Sequence, residues 1–320
     1  MDIKQRENET DEQYLVRLVL AKKNGELRMN WNELGALLGY DSSEFIRKIA
    51  YGVYMYDDVI NSDGYADVDN RILCISDSHV PFHLPTSTFQ KYKGSVDTLV
   101  LNGDILDMQG ISKFPKNYRV SPMEEMTEAR DYIIELIEML KPKKVIGING
   151  NHEIRFGTYL AKNLDSELLE LMPNSPLELI MVDGFNWYDK RNFTKTFYSP
   201  LTEVFEDIEF VYTDDWKAQV GDIVFCHPLA FSSVQMATAK KAYTWFLENG
   251  YDFKNIVVAH THRVGNYVFA GKNAYESGCC SDIEQNNYTN GKLITTQSCG
   301  YMYFEQDKEG NTIYTKQELV

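Results

Sequence analysis

Apolar residues in this chain follow two rhythms, and the change from one to the other falls near residue 62. Up to there the spacing is helical. Thr10-Asp-Glu-Gln13 has the spacing of a capping box, and Tyr14, Leu15, Leu18 and Val19 then share one face of a helix that Asn24-Gly25 stops. Asn30-Trp-Asn-Glu33 opens a second, short helix with Leu34, Leu37 and Leu38 inward and Gly39 at its end. Asp41-Ser-Ser-Glu44 starts a third, with Phe45, Ile46, Ile49 and Val53 on one face and Ser43, Arg47, Lys48, Tyr51 and Tyr54 exposed. Helix, short helix, glycine turn, helix is the order of a helix-turn-helix module. It predicts an N-terminal helical domain over residues 1–62 and a polar linker over 63–70.

From Arg71 the rhythm becomes short apolar runs separated by helical stretches, the pattern of an α/β domain over residues 71–320. Five of those runs share one property. Ile72-Leu-Cys-Ile ends in Ser76-Asp77-Ser-His79, and Leu99-Val-Leu ends in Asn102-Gly-Asp104-Ile-Leu-Asp107. Val145-Ile-Gly-Ile ends in Asn149-Gly-Asn151-His152, Ile223-Val-Phe-Cys in His227, and Ile256-Val-Val-Ala in His260-Thr-His262. Each run delivers Asp, Asn or His to the carboxyl end of a strand, where open α/β sheets keep their ligand chemistry. The chain has six histidines, and five of them stand at these ends. The sixth, His83, follows in the loop after His79.

Between the runs, Pro122 to Leu140 reads as the clearest helix, with Ser121 as N-cap, Glu124 three residues on and Lys141-Pro142 as its stop. Residues 155–215 are irregular and are expected to form a helical insertion that walls one side of a cleft. After His262, the stretches 265–269, 292–297, 300–304 and 312–314 are strand-like, which predicts a second sheet packed on the first. The resulting fold class is an α/β sandwich: two mixed β-sheets flanked by helices, with a small helical domain in front.

Composition narrows the function. A hydrophobic fraction of 43% suffices for a packed core, and no apolar run is long enough to span a membrane. The expectation is a soluble, cytoplasmic protein with no membrane partner. Five cysteines without a CxxC pair are expected to be reduced, structural thiols. A net charge of −15 disfavours unspecific binding of polyanions over the whole surface. Residues 1–62 carry eight Lys and Arg against eleven Asp and Glu, which sets DNA contact level with a docking or oligomerisation role for that domain.

The five strand-end blocks resemble, in order and spacing, the calcineurin-like metallophosphoesterase superfamily. Its pattern is D-x-H, G-D-x-x-D, G-N-H-E, H and H-x-H. Here it reads Asp77-Ser-His79, Gly103-Asp104-Ile-Leu-Asp107, Gly150-Asn151-His152-Glu153, His227 and His260-Thr-His262. The wording around the blocks, including residues 107–115 and the helical leader, looks most like bacteriophage-encoded members, which implies the host cytoplasm as location. Met108-Gln109 stands where the protein Ser/Thr phosphatase branch has Arg-Gly, which points away from that branch.

The resemblance implies a dinuclear-metal phosphoesterase. Asp104 would bridge two divalent cations; Asp77, His79 and His262 would complete one, and Asn151, His227 and His260 the other. Imidazole, carboxylate and amide oxygen together suit Mn²⁺, with Fe or Zn²⁺ as alternatives, and argue against an all-oxygen Mg²⁺ or Ca²⁺ cage. His152 would protonate the leaving group, with Asp107 as its orienting partner. His83, Arg155 and Arg263 are candidates for binding the substrate. The expected reaction is hydrolysis of phosphodiester bonds in nucleic acid or nucleotides. A phosphomonoesterase or protein phosphatase is the alternative within the class, and an inactive DNA- or protein-binding regulator the alternative outside it.

Overall fold

The computed structural model describes residues 3–6, 9–40, 42–61, 68–113, 120–286 and 297–320, with residues 56–61 described by their backbone. The chain divides into two compact units, Met1–Asp67 and Val68–Val320.

The first unit is a cluster of helices α1 (Asp11–Lys23), α2 (Trp31–Leu37) and α3 (Ser43–Asn61). Both expected capping boxes are present. Thr10 N–H donates to Gln13 Oε1 at 3.0 Å and Gln13 N–H to Thr10 Oγ1 at 3.3 Å, while Asn30 and Glu33 exchange the same pair of bonds at 2.8 and 2.9 Å. Leu18, Val19, Leu34, Ile46 and Ala50 form the buried seam. Leu37 and Phe45, expected inward, are 38% and 53% exposed. Leu37 points about 60° away from Leu34 on the α2 cylinder, and Phe45 about 100° away from Ile46 on α3. Phe45 packs at a tilt against Tyr40 instead, with ring centroids 5.3 Å apart. Asp41 lies outside the described residues; α3 begins at Ser43, with Ser42 Oγ accepting from Glu44 N–H at 3.3 Å. Arg47, Lys48 and Tyr51 are exposed, whereas Tyr54 is half-buried beneath Lys23.

In chain order the second unit contains β1 (Asn70–Ile75), β2 (Thr98–Asn102), α4 (Pro122–Leu140), β3 (Lys144–Ile148), α5 (Ile154–Asn163), α6 (Ser166–Leu169) and α7 (Pro176–Glu178). Then come β4 (Phe185–Asp189), β5 (Thr194–Tyr198), α8 (Leu201–Val204), β6 (Glu209–Thr213), β7 (Lys217–Val220), β8 (Ile223–Cys226) and α9 (Ala237–Glu248). The last strands are β9 (Asn255–Val258), β10 (Val264–Phe269), β11 (Lys272–Ser277), β12 (Gly300–Gln306) and β13 (Thr312–Leu319). Apart from β4 and β5, which pair with each other, they build two mixed sheets. The first has the order β13-β12-β1-β2-β3-β6, with β1, β2, β3 and β6 parallel. The second has the order β10-β11-β9-β8-β7, with β8, β9 and β11 parallel.

Alternation along each strand assigns the layers. Ile72, Cys74, Val100, Ile146 and Phe304 face Ile223, Phe225 and Val257 in the core between the sheets. Leu73, Ile75, Leu99 and Val145 face the opposite way, under Met126, Ile133, Leu136 and Ile137 of α4. Val224, Cys226, Ile256 and Val258 pack beneath Ala239, Tyr243 and Phe246 of α9. Parallel strands covered on both faces carry continuous apolar runs, which is why these runs stood out in the sequence. All five cysteines are free and four are buried. Among the described residues no helix is long and apolar enough to cross a membrane.

Two expectations change. Residues 155–215 are not wholly helical: after α5, α6 and α7 they form the hairpin β4–β5 and end in β6, which joins the edge of the first sheet. The strands after His262 do not make one new sheet either. β10 and β11 extend the second sheet, while β12 and β13 return to the first, where β12 pairs antiparallel with β1. Of the strand expected at 292–297, residues 292–296 lie outside the described residues.

Candidate metal centre

The five strand ends meet. Asp77 and His79 leave β1, Asp104 and Asp107 leave β2, and Asn151 and His152 leave β3, all from the first sheet; His227 leaves β8, and His260 and His262 leave β9 of the second. The turns that carry them are tight. Asp77, His79, Asp104, His260 and His262 all have positive φ, between 49° and 71°, a region that non-glycine residues enter at a cost and that clusters at functional sites. Two glycines permit the approach. A Cβ on Gly103 would run into the His227 ring, and one on Gly150 into the Asp104 carboxylate.

Backbone hydrogen bonds lock the turns together. Asp77 N–H donates to Gly103 O at 3.0 Å and His79 N–H to Asp104 O at 2.9 Å. Asp104 Oδ1 accepts from His152 N–H at 2.8 Å, and the Asp77 carboxylate accepts from His260 N–H at 3.1 Å. Glu153 lies beneath them. Fully buried, it accepts from the amides of Asp104 (2.9 Å), Ile105 (2.7 Å), Leu106 (3.0 Å) and Gly150 (2.9 Å), tying the β2 turn to the β3 turn.

Three groups of ligand atoms lie within 4.8 Å of one another: Asp77, His79 and His262; Asp104, His227 and His260; and His79, Asp104 and His152. The donor set fits divalent cations. His227 Nδ1–H must donate to the Asn102 carbonyl, 2.9 Å away, which turns its Nε2 toward Asp104 Oδ2 at 3.3 Å and Asn151 Oδ1 at 3.2 Å. His79 Nε2 and His262 Nε2 face each other at 3.0 Å, with Asp77 Oδ1 3.2 Å from the latter. Imidazole nitrogens crowded against one another and against buried carboxylates call for positive charge between them, a proton or a metal ion. The titration shifts point the same way. Burial alone would keep the His227 imidazole neutral, yet the Asp104 and Asp77 carboxylates raise its pKa to about 10. Burial lowers His79 and His260 to about 4, which leaves them neutral, the form in which an imidazole can bind a metal ion. Burial works against the charged forms of Asp77 and Asp104, but the surrounding imidazoles hold both below the usual carboxylate range.

His152 is 5% exposed and is oriented from both sides. The Arg155 guanidinium, which can only donate, lies 2.7 Å from Nε2, so the ring proton is on Nδ1. Nδ1–H faces Asp107, with the carbonyl oxygen and Oδ1 each 3.0 Å away. Asp107 Oδ1 is also 3.3 Å from His79 Nδ1, so this carboxylate orients a candidate ligand and the candidate acid together.

The three residues expected to bind substrate fare differently. Arg155 also donates from Nη1 to Asp107 O at 2.8 Å and belongs to the centre. Arg263 is not available for that role. It is 2% exposed and donates from Nη1 to Ser232 O at 3.1 Å, because the chain turns inward after His262. His83 pairs through its backbone with Ser281 and packs on Tyr132, centroids 4.3 Å apart, with no bond to any ligand residue among the described residues. Two residues went unassigned from sequence. Glu153 was visible inside its motif without a role, and Gln297, whose amide lies 2.7 Å from His262 Nδ1, gave no local signal.

A family model for calcineurin-like phosphoesterases matches residues 70–264. No curated protein matches the chain. Among solved structures it is similar to Vacuolar Protein Sorting 29 of Cryptosporidium parvum, with 14% identity, a TM-score of 0.38 and coverage of 79% of this chain and 99% of that one. It is also similar to a metallophosphoesterase from Sphaerobacter thermophilus, with 13% identity, a TM-score of 0.37 and coverage of 78% and 88%. Wild-type Vps29 complexed with zinc, from Entamoeba histolytica, gives 12% identity, a TM-score of 0.38 and coverage of 78% and 98%.

Proposed function

Since the chain belongs to the calcineurin-like phosphoesterases, a family of metal-dependent phosphoester hydrolases, we propose that it cleaves phosphodiester bonds of nucleotides or nucleic acid, with Mn²⁺ as the working metal. The observation that carries the reading is the pair of ligand groups, Asp77–His79–His262 and Asp104–His227–His260, with His152 beside them. Asp77, His79 and His262 would hold one cation and Asn151, His227 and His260 the other, with Asp104 as the carboxylate shared between them. Two such cations supply an activated water and offset charge on the phosphoryl oxygens.

The chain's own residues do the rest. With Nδ1–H held on Asp107, His152 takes a second proton from solvent at Nε2 and delivers it to the leaving oxygen, returning to the Nδ1–H form, a step worth about 10²–10⁴ in rate. Asp107 keeps the ring turned for that task through Nδ1. Arg155 occupies the Nε2 position and moves onto a phosphoryl oxygen when substrate enters. The choice of diester rests on charge. Met108 and Gln109 are buried beside Asp107 and bring no cation, and Arg263 is turned inward, so Arg155 faces a phosphate that needs one counter-charge. Residues 1–67 are read as a separate recognition unit for nucleic acid or protein, and the leader supports kinship with phage-encoded members acting in the host cytoplasm.

The test is a rate comparison with added Mn²⁺ across bis-(p-nitrophenyl) phosphate, p-nitrophenyl phosphate, single-stranded DNA, duplex DNA and cyclic dinucleotides. Diesters are expected to turn over faster than the monoester. A monoester preference would put the phosphatase alternative in its place, and no turnover with metal bound would put the inactive regulator there.

A further inference from the structure

Beside the centre lies a cleft of about 290 Å³ whose lining includes Trp216, Phe231, Ser232, Thr238, Lys241 and Trp245. It adjoins the ligands directly. His227 N–H donates to Trp216 O at 2.8 Å, and the Phe231 ring stands edge-on to the His260 ring with centroids 5.2 Å apart. Trp216 and Trp245 meet edge to face at 5.2 Å. These rings are not sealed into the core: Phe231 is 47% and Trp245 39% exposed.

The wall that carries Phe231 is fastened by buried polar groups that take no part in the ligand set. Arg263 donates to Ser232 O and places its guanidinium 5.7 Å from the Phe231 ring centroid. Thr238 Oγ1, also buried, accepts from Ser232 N–H at 2.9 Å. Fully buried Glu276 is faced by Arg263 in turn. Removing charged groups from water costs several kcal/mol for each ion, even when they are paired. Here that cost goes into fixing one loop next to the reaction centre.

We propose that this cleft is the subsite for a nucleobase carried by the phosphoester substrate, a proposal that rests on the phosphodiesterase reading above. The volume lies at the lower end of ligand pockets, about 300–1,000 Å³, and suits one ring system. Three aromatic side chains offer it faces and edges, and Lys241 offers a donor for a ring carbonyl or ring nitrogen. A base stacked on aromatic side chains gains affinity whatever its identity, so the subsite selects nucleotides without reading sequence.

The experiment compares three diesters with one leaving group on the full-length Mn²⁺-loaded protein: thymidine 5′-(p-nitrophenyl phosphate), phenyl p-nitrophenyl phosphate and methyl p-nitrophenyl phosphate. The thymidine ester should exceed the methyl ester in kcat/KM by about 10-fold, the size expected of one stacked base. That ratio should fall toward 1 in Phe231→Ala and Trp245→Ala. Thymidine 5′-monophosphate should also quench tryptophan fluorescence in the wild type and much less in Phe231→Ala. A wild-type ratio of 1 with no quenching overturns the subsite, and a phenyl ester as good as the thymidine ester overturns the base. If no diester turns over but the monophosphate still quenches through Phe231, the diesterase reading falls and the subsite stands.

Discussion

The two sheets contribute unlike halves to the centre. The first supplies Asp77, Asp104 and Asp107 with His79, Asn151 and His152, and its turns are laced to their own backbone through Glu153. The second supplies imidazoles, and these are fastened to the first half: His260 N–H to the Asp77 carboxylate, His227 Nδ1–H to Asn102 O. The acidic half is therefore fastened within itself, whereas the imidazole half is held in place by the half it closes upon.

Asp104 touches both halves, so its loss should have the largest effect. Asp104→Asn should abolish turnover and release both metals, because a neutral amide cannot bridge two cations; near-normal metal content would show that the halves load independently. Next comes a contrast between neighbours. His152→Asn should keep its metal and lose about 10²–10⁴ in rate on a sugar leaving group, with a much smaller loss on p-nitrophenolate. His227→Asn should lose metal and slow both substrates equally, and matching behaviour of the two variants would erase the distinction between acid and ligand.

Glu153→Gln tests whether the acidic half stands by itself. A glutamine oxygen cannot satisfy the amides the carboxylate holds, and the change should destabilise the protein by about 3 kcal/mol in urea unfolding, with metal or without. An effect seen only after metal is added would contradict a preformed half. The smallest effect concerns pH. His227 has its pKa raised from 6.5 to about 10, so in chelator-treated protein its charge adds stability that is full below pH 6.5 and lost as pH rises through 10. Melting temperature of the metal-free protein should fall across that window and much less so in His227→Asn. An equal slope in both would remove His227 as its source.

Strand ends were legible in the sequence because His, Asp and Asn are costly residues to leave next to buried apolar runs without a task. α4 was legible to the residue, since Ser121, Pro122 and Glu124 mark its start and Lys141-Pro142 its end. Arg155 and Arg263 mark the limit. Each follows a ligand block within a few residues, yet one guanidinium sits on His152 and the other is buried under Phe231. Their fates depend on loops distant in sequence. Glu153 hid for a similar reason, since its partners are amides, which every residue carries. The return of β12 to pair with β1 joins positions more than 200 residues apart, and no local pattern announces it.

The crossover from β3 to β6 has a consequence for how such a chain can change over generations. It departs after the Asn151 turn and comes back at the sheet's outer edge, carrying the β4–β5 hairpin with Phe193 and Phe197 exposed. Asn151, His152, Glu153 and Arg155 all fall at its start, so at the exposed β4–β5 hairpin residues can be gained or lost without shifting them. Closing a longer loop costs little, about 0.6 kcal/mol for each doubling. Lineages can therefore redesign this stretch while inheriting the chemistry unchanged.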